Sequence, residues 1–349
     1  MEKINILVLG VGGNVGQGII TALKISEIPC KIIGACISAD SLGLYMCDSS
    51  YISPYANDKY FIDWVIDLCN KENVLMIFSG VEEVIYILKL NLEILQAQTS
   101  ALFISSSLEK LNIGNDKYNT VEWLKNNGLN YPQYANSEEI DSVKALVARC
   151  GFPLIGKPNK GKGSSGIIIL KSIDDLRKVP KSNYIIQQYL GNEEQEYTVA
   201  CYVDKNSVQQ SLIIFRRNLM YGTTFSAVIV ENELIKEECM KICSAFRPEG
   251  PLNIQLRIHN GIPICFELNV RFSGTTPIRA RFGYNDVKAM VAEYLLNENV
   301  ENYLKPAKKG RVYRYFNEFY VDTAMHNEMS NLKEIKNTSC FNNFHENQL

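Results

Sequence analysis

Histidine is almost missing from this chain: among 349 residues only His259, His326 and His345 carry an imidazole. That scarcity argues against a histidine-built metal centre or a chemistry leaning on several imidazole bases. The ten cysteines do not stand in for it. They are scattered from Cys30 to Cys340 with no C-x-x-C pair, and they read as reduced thiols acting as small hydrophobes. An excess of one charge is lacking too. The 36 Lys and Arg nearly balance 38 Asp and Glu, a formal charge of −2, which speaks against a basic nucleic-acid surface. No apolar run approaches the ~20 residues of a membrane span. The apolar start Ile4–Leu9 is too short for a signal-peptide core and runs into glycines instead of a cleavage site. These absences predict a soluble, cytoplasmic protein that engages neither nucleic acid nor membrane.

What is present is ordinary in bulk, with 46% hydrophobic and 21% charged residues, and long enough for two or three subdomains. Over the first hundred residues apolar strands (Ile4–Leu9, Ile32–Ile37, Val74–Phe78, Ala101–Ile104) alternate with helical periods (through Leu23, Phe61–Cys69, Val81–Leu95). That alternation predicts a parallel, doubly wound sheet. From Asp116 the texture changes. Helices at about 117–127 and 138–149 precede strands at 153–155 and 167–170, which bracket a Gly/Ser/Lys-rich loop. Further strands are expected at 184–188, 197–203, 208–215 and 225–230. The segment after Ser330 is polar and Asn-rich and reads as a surface extension or frayed tail.

Three constellations carry chemistry. In the first, Gly10, Gly12, Gly13, Gly16 and Gly18 follow a strand and open a helix, with Asp40 placed 24 residues after Gly16. Such glycines admit a phosphate to a helix N-terminus, and the acid suits a ribose, as in nicotinamide-dependent oxidoreductases. They serve equally to pack a helix closely on a strand, and both readings stand at this point. The second is Lys157-Pro158 leaving a buried strand, followed by the Asn159–Gly166 loop. A fixed cation beside free backbone N–H groups suits a polyphosphate, although the following strand excludes a P-loop and a solvated hairpin loop is the alternative. The third is a hairpin, Asn253–Ile258 and Ile264–Arg271, whose even positions are apolar and whose odd positions from 253 to 257 and from 267 to 271 are Asn, Gln, Arg and Glu. A two-residue Asn-Gly turn alone would split that polar set between two faces. The pattern therefore predicts an odd-numbered loop or a bulge. Three loop residues, 260–262, would place Gln255 opposite Glu267 on the face that also carries Asn269 and Arg271. Oxygen donors of that kind suit a hard divalent ion, and an arginine suits phosphate oxygens.

In this order, with Asn115-Asp-Lys117, Ile186–Gly191, Glu196-Tyr-Thr-Val and Asp204 between them, the motifs resemble the ATP-grasp superfamily over about residues 1–325. The branch is that of the synthetase halves of the carbamoyl-phosphate synthetase large subunit. The resemblance implies an α/β fold, α+β in its C-terminal part: a Rossmann-like pre-grasp domain at 1–113, a lid subdomain at 114–190, a metal-bearing subdomain at 191–325 and a polar extension at 326–349. It assigns Lys117 and Lys157 to the nucleotide phosphates, and Gly161, Gly163, Ser164, Ser165 and Gly166 to the loop folding over them. Gln187, Gln188, Tyr189 and Leu190 fall to adenine, with Gln188 where the family commonly has Glu. Glu196 falls to ribose, with Glu193 and Glu194 as alternatives. Gln255, Glu267 and Asn269 fall to Mg2+ (or Mn2+), and Arg271 to the γ-phosphate.

The implied activity is a ligase that activates a carboxylate with ATP as an acyl phosphate and couples it to an amine or another nucleophile. Its partners are small molecules and a second copy of the chain. Arg279 and Arg281 are candidates to grip the substrate acid or stabilise the tetrahedral intermediate, Arg216-Arg217 to reach the phosphates or the acid, and Glu82 and Glu83 to contact the amine. Two other classes remain: a nicotinamide-dependent oxidoreductase, and an ATP-binding protein without catalysis.

Overall fold

Continuous apolar runs make buried strands, and in the computed structural model they do so where the sequence carries them. The structure describes residues 3–336 apart from 162, 164, 192–195, 207 and 307–308. In chain order the elements begin β1 (Ile4–Leu9), α1 (Asn14–Lys24), β2 (Cys30–Cys36), β3 (Ser49–Ile52), α2 (Phe61–Glu72), β4 (Met76–Ser79), α3 (Glu82–Leu90), α4 (Leu92–Gln98) and β5 (Leu102–Phe103). They continue with α5 (Leu108–Asn115), α6 (Lys117–Asn126), β6 (Tyr134–Asn136), α7 (Ile140–Cys150), β7 (Leu154–Pro158), β8 (Ile168–Leu170), β9 (Tyr184–Gln188), β10 (Glu196–Val203), β11 (Gln209–Met220) and β12 (Thr223–Ile229). The last are α8 (Glu233–Phe246), β13 (Gly250–His259), β14 (Ile262–Asn269), α9 (Thr276–Arg281), α10 (Asp286–Tyr294), β15 (Arg311–Tyr313), α11 (Thr323–Leu332) and β16 (Glu334–Lys336). The chain divides into two compact units.

The first unit comprises 1–108, 271–308 and 315–349. Its sheet runs β16-β3-β2-β1-β4-β5, with β1 to β5 parallel in the order 3-2-1-4-5 used by doubly wound folds. The glycines after β1 are accounted for by packing. A Cβ on Gly16 would lie 2.5 Å from the Gly10 carbonyl oxygen, and one on Gly18 would lie 2.7 Å from Pro277, at the start of α9. The expected single helix over 81–95 is two, parted at Asn91, whose Nδ2 donates to the Ile87 carbonyl. The expected frayed tail is also corrected as far as 336. β16 pairs antiparallel with β3 and buries Ile335, while α11 buries Met329. A sheet edge offers unpaired backbone groups, and two apolar anchors suffice to seat an otherwise polar segment on it. Residues 337–349 lie outside the described residues.

The second unit, 109–270 with 309–314, is antiparallel. A four-stranded sheet, β6-β9-β7-β8, packs Ala135, Leu154, Leu170 and Ile186 against Val143 and Leu146 of α7. A six-stranded sheet, β14-β13-β10-β11-β12-β15, carries the polar hairpin at one edge, and α8 packs on it through Cys239, Cys243 and Phe246. The hairpin's register is set by a bulge. Asn260 and Gly261 form a two-residue turn at φ +50° and +79°, pairing His259 with Ile262, and the ladder then shifts so that Gln255 still faces Glu267 and Asn253 faces Asn269. Of the two expected ways to keep the register, an odd-numbered loop or a bulge, the chain takes the bulge: a tight primed turn plus one extra residue, Phe266, in β14.

Candidate active site

Both sheets of the second unit contribute to one cleft of about 380 Å³. From the four-stranded sheet come Ile155, Lys157, Ile169 and Gln187. From the six-stranded sheet come Glu196, Gln255, Arg257, Phe266 and Glu267. Between them lie Lys117 and the loop residues Gly161, Gly163 and Ser165. Alternation explains the first set: β9 turns Ile186 into the sheet's core, so Gln187 faces the other way beside its partner Ile155 on β7.

Lys157 is buried in this cleft, with its ammonium 4.7 Å from the centre of the Phe266 ring. Burial pushes its pKa down to about 8, Lys117 and Arg257 push the same way, and Glu267 and Glu196 oppose them. It makes no hydrogen bond or ion pair among the described residues. The bulge that fixes the hairpin register also brings Phe266, counted in sequence with the buried face, to the cleft beneath this cation. Lys117 opens α6, whose N-cap Asp116 accepts from the N–H groups of Tyr118 and Asn119. A cation at a helix N-terminus opposes the dipole, an arrangement that suits a bound anion. Its Nζ donates to the Gly161 carbonyl at 3.1 Å and its N–H to the Asn159 carbonyl, so it is tied to the glycine loop. In that loop Gly166 has φ +71°, and its carbonyl accepts from the Tyr184 hydroxyl. The β11–β12 turn rests on the same loop: a Cβ on Gly222 would lie 2.2 Å from the Gly163 carbonyl oxygen. Ser164 lies outside the described residues.

On the opposite wall Glu267 Oε1 accepts from Gln255 Nε2 and from Asn269 Nδ2, each at 3.0 Å. The three side chains therefore meet at one point. Among the described residues no group of three His, Cys, Asp or Glu could hold a metal, so a cation here would rely on amide carbonyls beside one carboxylate. Glu267 and Asn269 fit a hard divalent ion by donor chemistry. The Gln255 carbonyl accepts from Arg217 at 2.6 Å and would have to leave it to join them.

Glu196 is more constrained than the sequence suggests. Its Oε1 accepts from Arg217 and its Oε2 from Arg257, at 2.8 and 2.7 Å. Burial acts to raise its carboxyl, and the two arginines overcome that, holding it below the ordinary range. A ribose contact would share these oxygens; Glu193 and Glu194 lie outside the described residues. Arg257, which also donates to the Gly191 carbonyl, and Arg217 are members of the site to which sequence reasoning gave no definite part. Their alternation on β13 and β11 toward Glu196 is the signal that could have found them. Tyr189 and Leu190 line the cleft, and the Gln188 amide is held by Gln133 and His259.

Two expected site residues belong to the first unit. The Arg271 guanidinium donates to Glu82 at 2.5 and 2.9 Å. Arg279 is corrected from substrate grip to structural cation. It is 1% exposed, its Nε and Nη2 donate to Asp286 and its Nη1 to Ser273 and Thr275, so every nitrogen is engaged. Asp40, which a nicotinamide reading needs for ribose, bonds Ser38 and His326.

Residues 114–275 match the family model described as ATP-grasp domain. The particular relatives are enzymes. The chain is 24% identical over 310 residues to the carbamoyl phosphate synthase large chain of Caldanaerobacter subterraneus subsp. tengcongensis, covering 79% of this chain and 27% of that protein. The chain thus spans about a quarter of that curated relative. Its fold is shared with solved structures that include the following two. One is the biotin carboxylase domain dimer of Hydrogenobacter thermophilus 2-oxoglutarate carboxylase, in complex with MgADP, ADP and bicarbonate (TM-score 0.65, 14% identity, 84% of this chain and 70% of that one). The other is N5-carboxyaminoimidazole ribonucleotide synthetase of Thermotoga maritima (0.64, 17%, 88% and 78%). No helix among the described residues is long and apolar enough to cross a membrane.

Proposed function

We propose that the chain is an ATP- and Mg2+-dependent, ADP-forming ligase that activates a small carboxylate as an acyl phosphate and couples it to an amine or another nucleophile. The observation that carries this is the convergence on one cleft of the buried cation Lys157, the loop-bound Lys117, the linker Gln187–Leu190 and the carboxylate Glu267. The relatives named above support it: one is solved with MgADP and bicarbonate, and their names denote carboxylation and carbamoyl-phosphate chemistry. The dimeric relative favours a homodimer, and the segments 1–113, 114–190, 191–325 and 326–349 are the functional modules of this proposal.

In this reading Lys117 and Lys157 take the nucleotide phosphates, and the 161–166 loop covers them. Arg271, two residues after Asn269 in the chain, takes the γ-phosphate by exchanging Glu82 for phosphate oxygens. Glu267 and Asn269 would hold the divalent ion, with Gln255 joining them on release from Arg217. When bound, the ion supplies neutralisation of phosphate charge. A substrate carboxylate oxygen attacks the γ-phosphorus and the bond to the β,γ-bridging oxygen breaks, releasing ADP. The acceptor then attacks the acyl carbon and expels phosphate. The first step asks for positioning and charge stabilisation and needs no proton-transferring triad, which accommodates the scarcity of histidine. The loop's further task is to keep the acyl phosphate from water.

The test is a coupled ADP-release screen over acids and amines, with mass spectrometry of the products. Glu267→Gln and Lys157→Ala are each expected to remove acceptor-dependent ADP release from a folded protein. Full turnover in both variants overturns the proposal. Wild-type nucleotide binding with no release across the screen favours a non-catalytic ATP-binding protein.

A further inference from the structure

Two adjacent glutamines at the end of β9 differ in how their amides are held. Gln188 is tied to the Gln133 N–H and the His259 ring. Gln187 is 1% exposed, and among the described residues neither its Oε1 nor its Nε2 has a hydrogen-bond partner. A buried amide left unmatched at both ends is costly, and native interiors rarely retain one without reason. It lines the cleft beside Ile155, Ile169, Leu190 and Phe266, apolar walls that suit a flat ring.

We infer that Gln187 reads the six-position of a purine base, and that its amide can do so in either of two orientations. The inference rests on the nucleotide-binding reading above and concerns the selectivity of that site. With its carbonyl forward the amide accepts from a 6-amino group; turned over, its NH2 donates to a 6-oxo group. A glutamine can also make a second bond to a neighbouring ring nitrogen. No protein partner among the described residues fixes the orientation, so turning the amide breaks no protein hydrogen bond. A carboxylate at this place would accept only and would repel a 6-oxo base. Gln187 therefore widens the nucleotide choice from ATP to 6-oxopurine triphosphates.

Equilibrium binding of ATP and of inosine triphosphate, each with Mg2+, to the full chain tests this. The second probe carries the 6-oxo group without the 2-amino group of guanine. The wild type should bind the two within about tenfold of each other, one neutral hydrogen bond replacing another. Gln187→Glu should retain ATP and weaken inosine triphosphate by about tenfold or more, because an acceptor then faces an acceptor. Gln187→Leu should weaken both by about 5- to 150-fold, the range for a lost amide–base contact. Its ligand-free melting temperature should not fall, since the amide removed has no partner. Wild-type discrimination above about 100-fold, an unchanged ratio in Gln187→Glu, or unchanged ATP affinity in a folded Gln187→Leu overturns the inference and leaves the ligase proposal intact. Absence of binding by either nucleotide to the wild type overturns both.

Discussion

Arg279 in the first unit and Lys157 in the second are both buried cations, and they are treated in opposite ways. Arg279 sits at 1% exposure against Asp286 at 0%, with its remaining nitrogen on two hydroxyls. Lys157 has an aromatic face and a nearby carboxylate that does not bond it, and its affinity for a proton is depressed to about 8. A buried charge that is fully matched has been spent on the fold; one left unmatched carries a free-energy cost that an incoming anion can relieve. The comparison breaks hardest at Arg279. Replacing it with Met strands the Asp286 carboxylate, and stability should fall by about 3–5 kcal/mol, the usual cost of removing one partner of a buried pair. Urea or thermal unfolding measures it, and a loss below about 1 kcal/mol would show that the pair is not fully desolvated.

At Lys157 the expected sign reverses. Its value in the folded chain, about 8, lies below the ordinary 10.5, so the folded state gives up its proton before the unfolded state does. Between those values the unfolded chain binds more protons, and stability rises with pH; below about 8 the burial penalty is present in full. The shift corresponds to a penalty on the order of 3 kcal/mol. Lys157→Met removes it together with the contact to Phe266, worth about 1 kcal/mol, so the ligand-free variant should be more stable by about 2 kcal/mol at pH 7, with the gain fading toward pH 10.5. Stability that falls in the variant would place Lys157 with Arg279, as part of the fold.

The sequence signals for these two cations were unequal, and so was their legibility. Lys157 leaves a buried strand just before a glycine loop, a pattern with local meaning. Arg279 follows a turn, and its value depends on Asp286, seven residues further on at the start of α10, which spacing alone does not reveal. The Gln255–Glu267 pairing followed from alternation, because a period of two leaves few registers that keep one face apolar. The bulge at Phe266 was foreseen only as an option beside a longer loop, since both give the same parity, and the position of its ring could not be read from alternation at all. The arginines around Glu196 were obscured for a different reason. Ion pairs among β10, β11 and β13 join residues from 21 to 61 positions apart, and each residue taken singly reads as one more polar side chain on an exposed face.

The mildest consequence of the difference between the two cations is a proton taken up on binding. Near pH 8 the free chain carries Lys157 about half-protonated, because its value lies there. A polyphosphate beside the ammonium favours the charged form and raises that value. Nucleotide binding at pH 8 should therefore take up about half a proton through this group, falling toward zero by pH 6.5, and above about pH 8 affinity should drop by up to about tenfold per pH unit. Calorimetry in buffers of different ionisation enthalpy reads the uptake directly. Lys157→Met, titrated alongside, subtracts the nucleotide's own ionisation and that of every other group. Arg279 stays charged across this range and should contribute nothing. Equal uptake in the wild type and in Lys157→Met would mean that the phosphates do not lie beside Lys157, and the contrast between a cation spent on the fold and one held for a ligand would be lost.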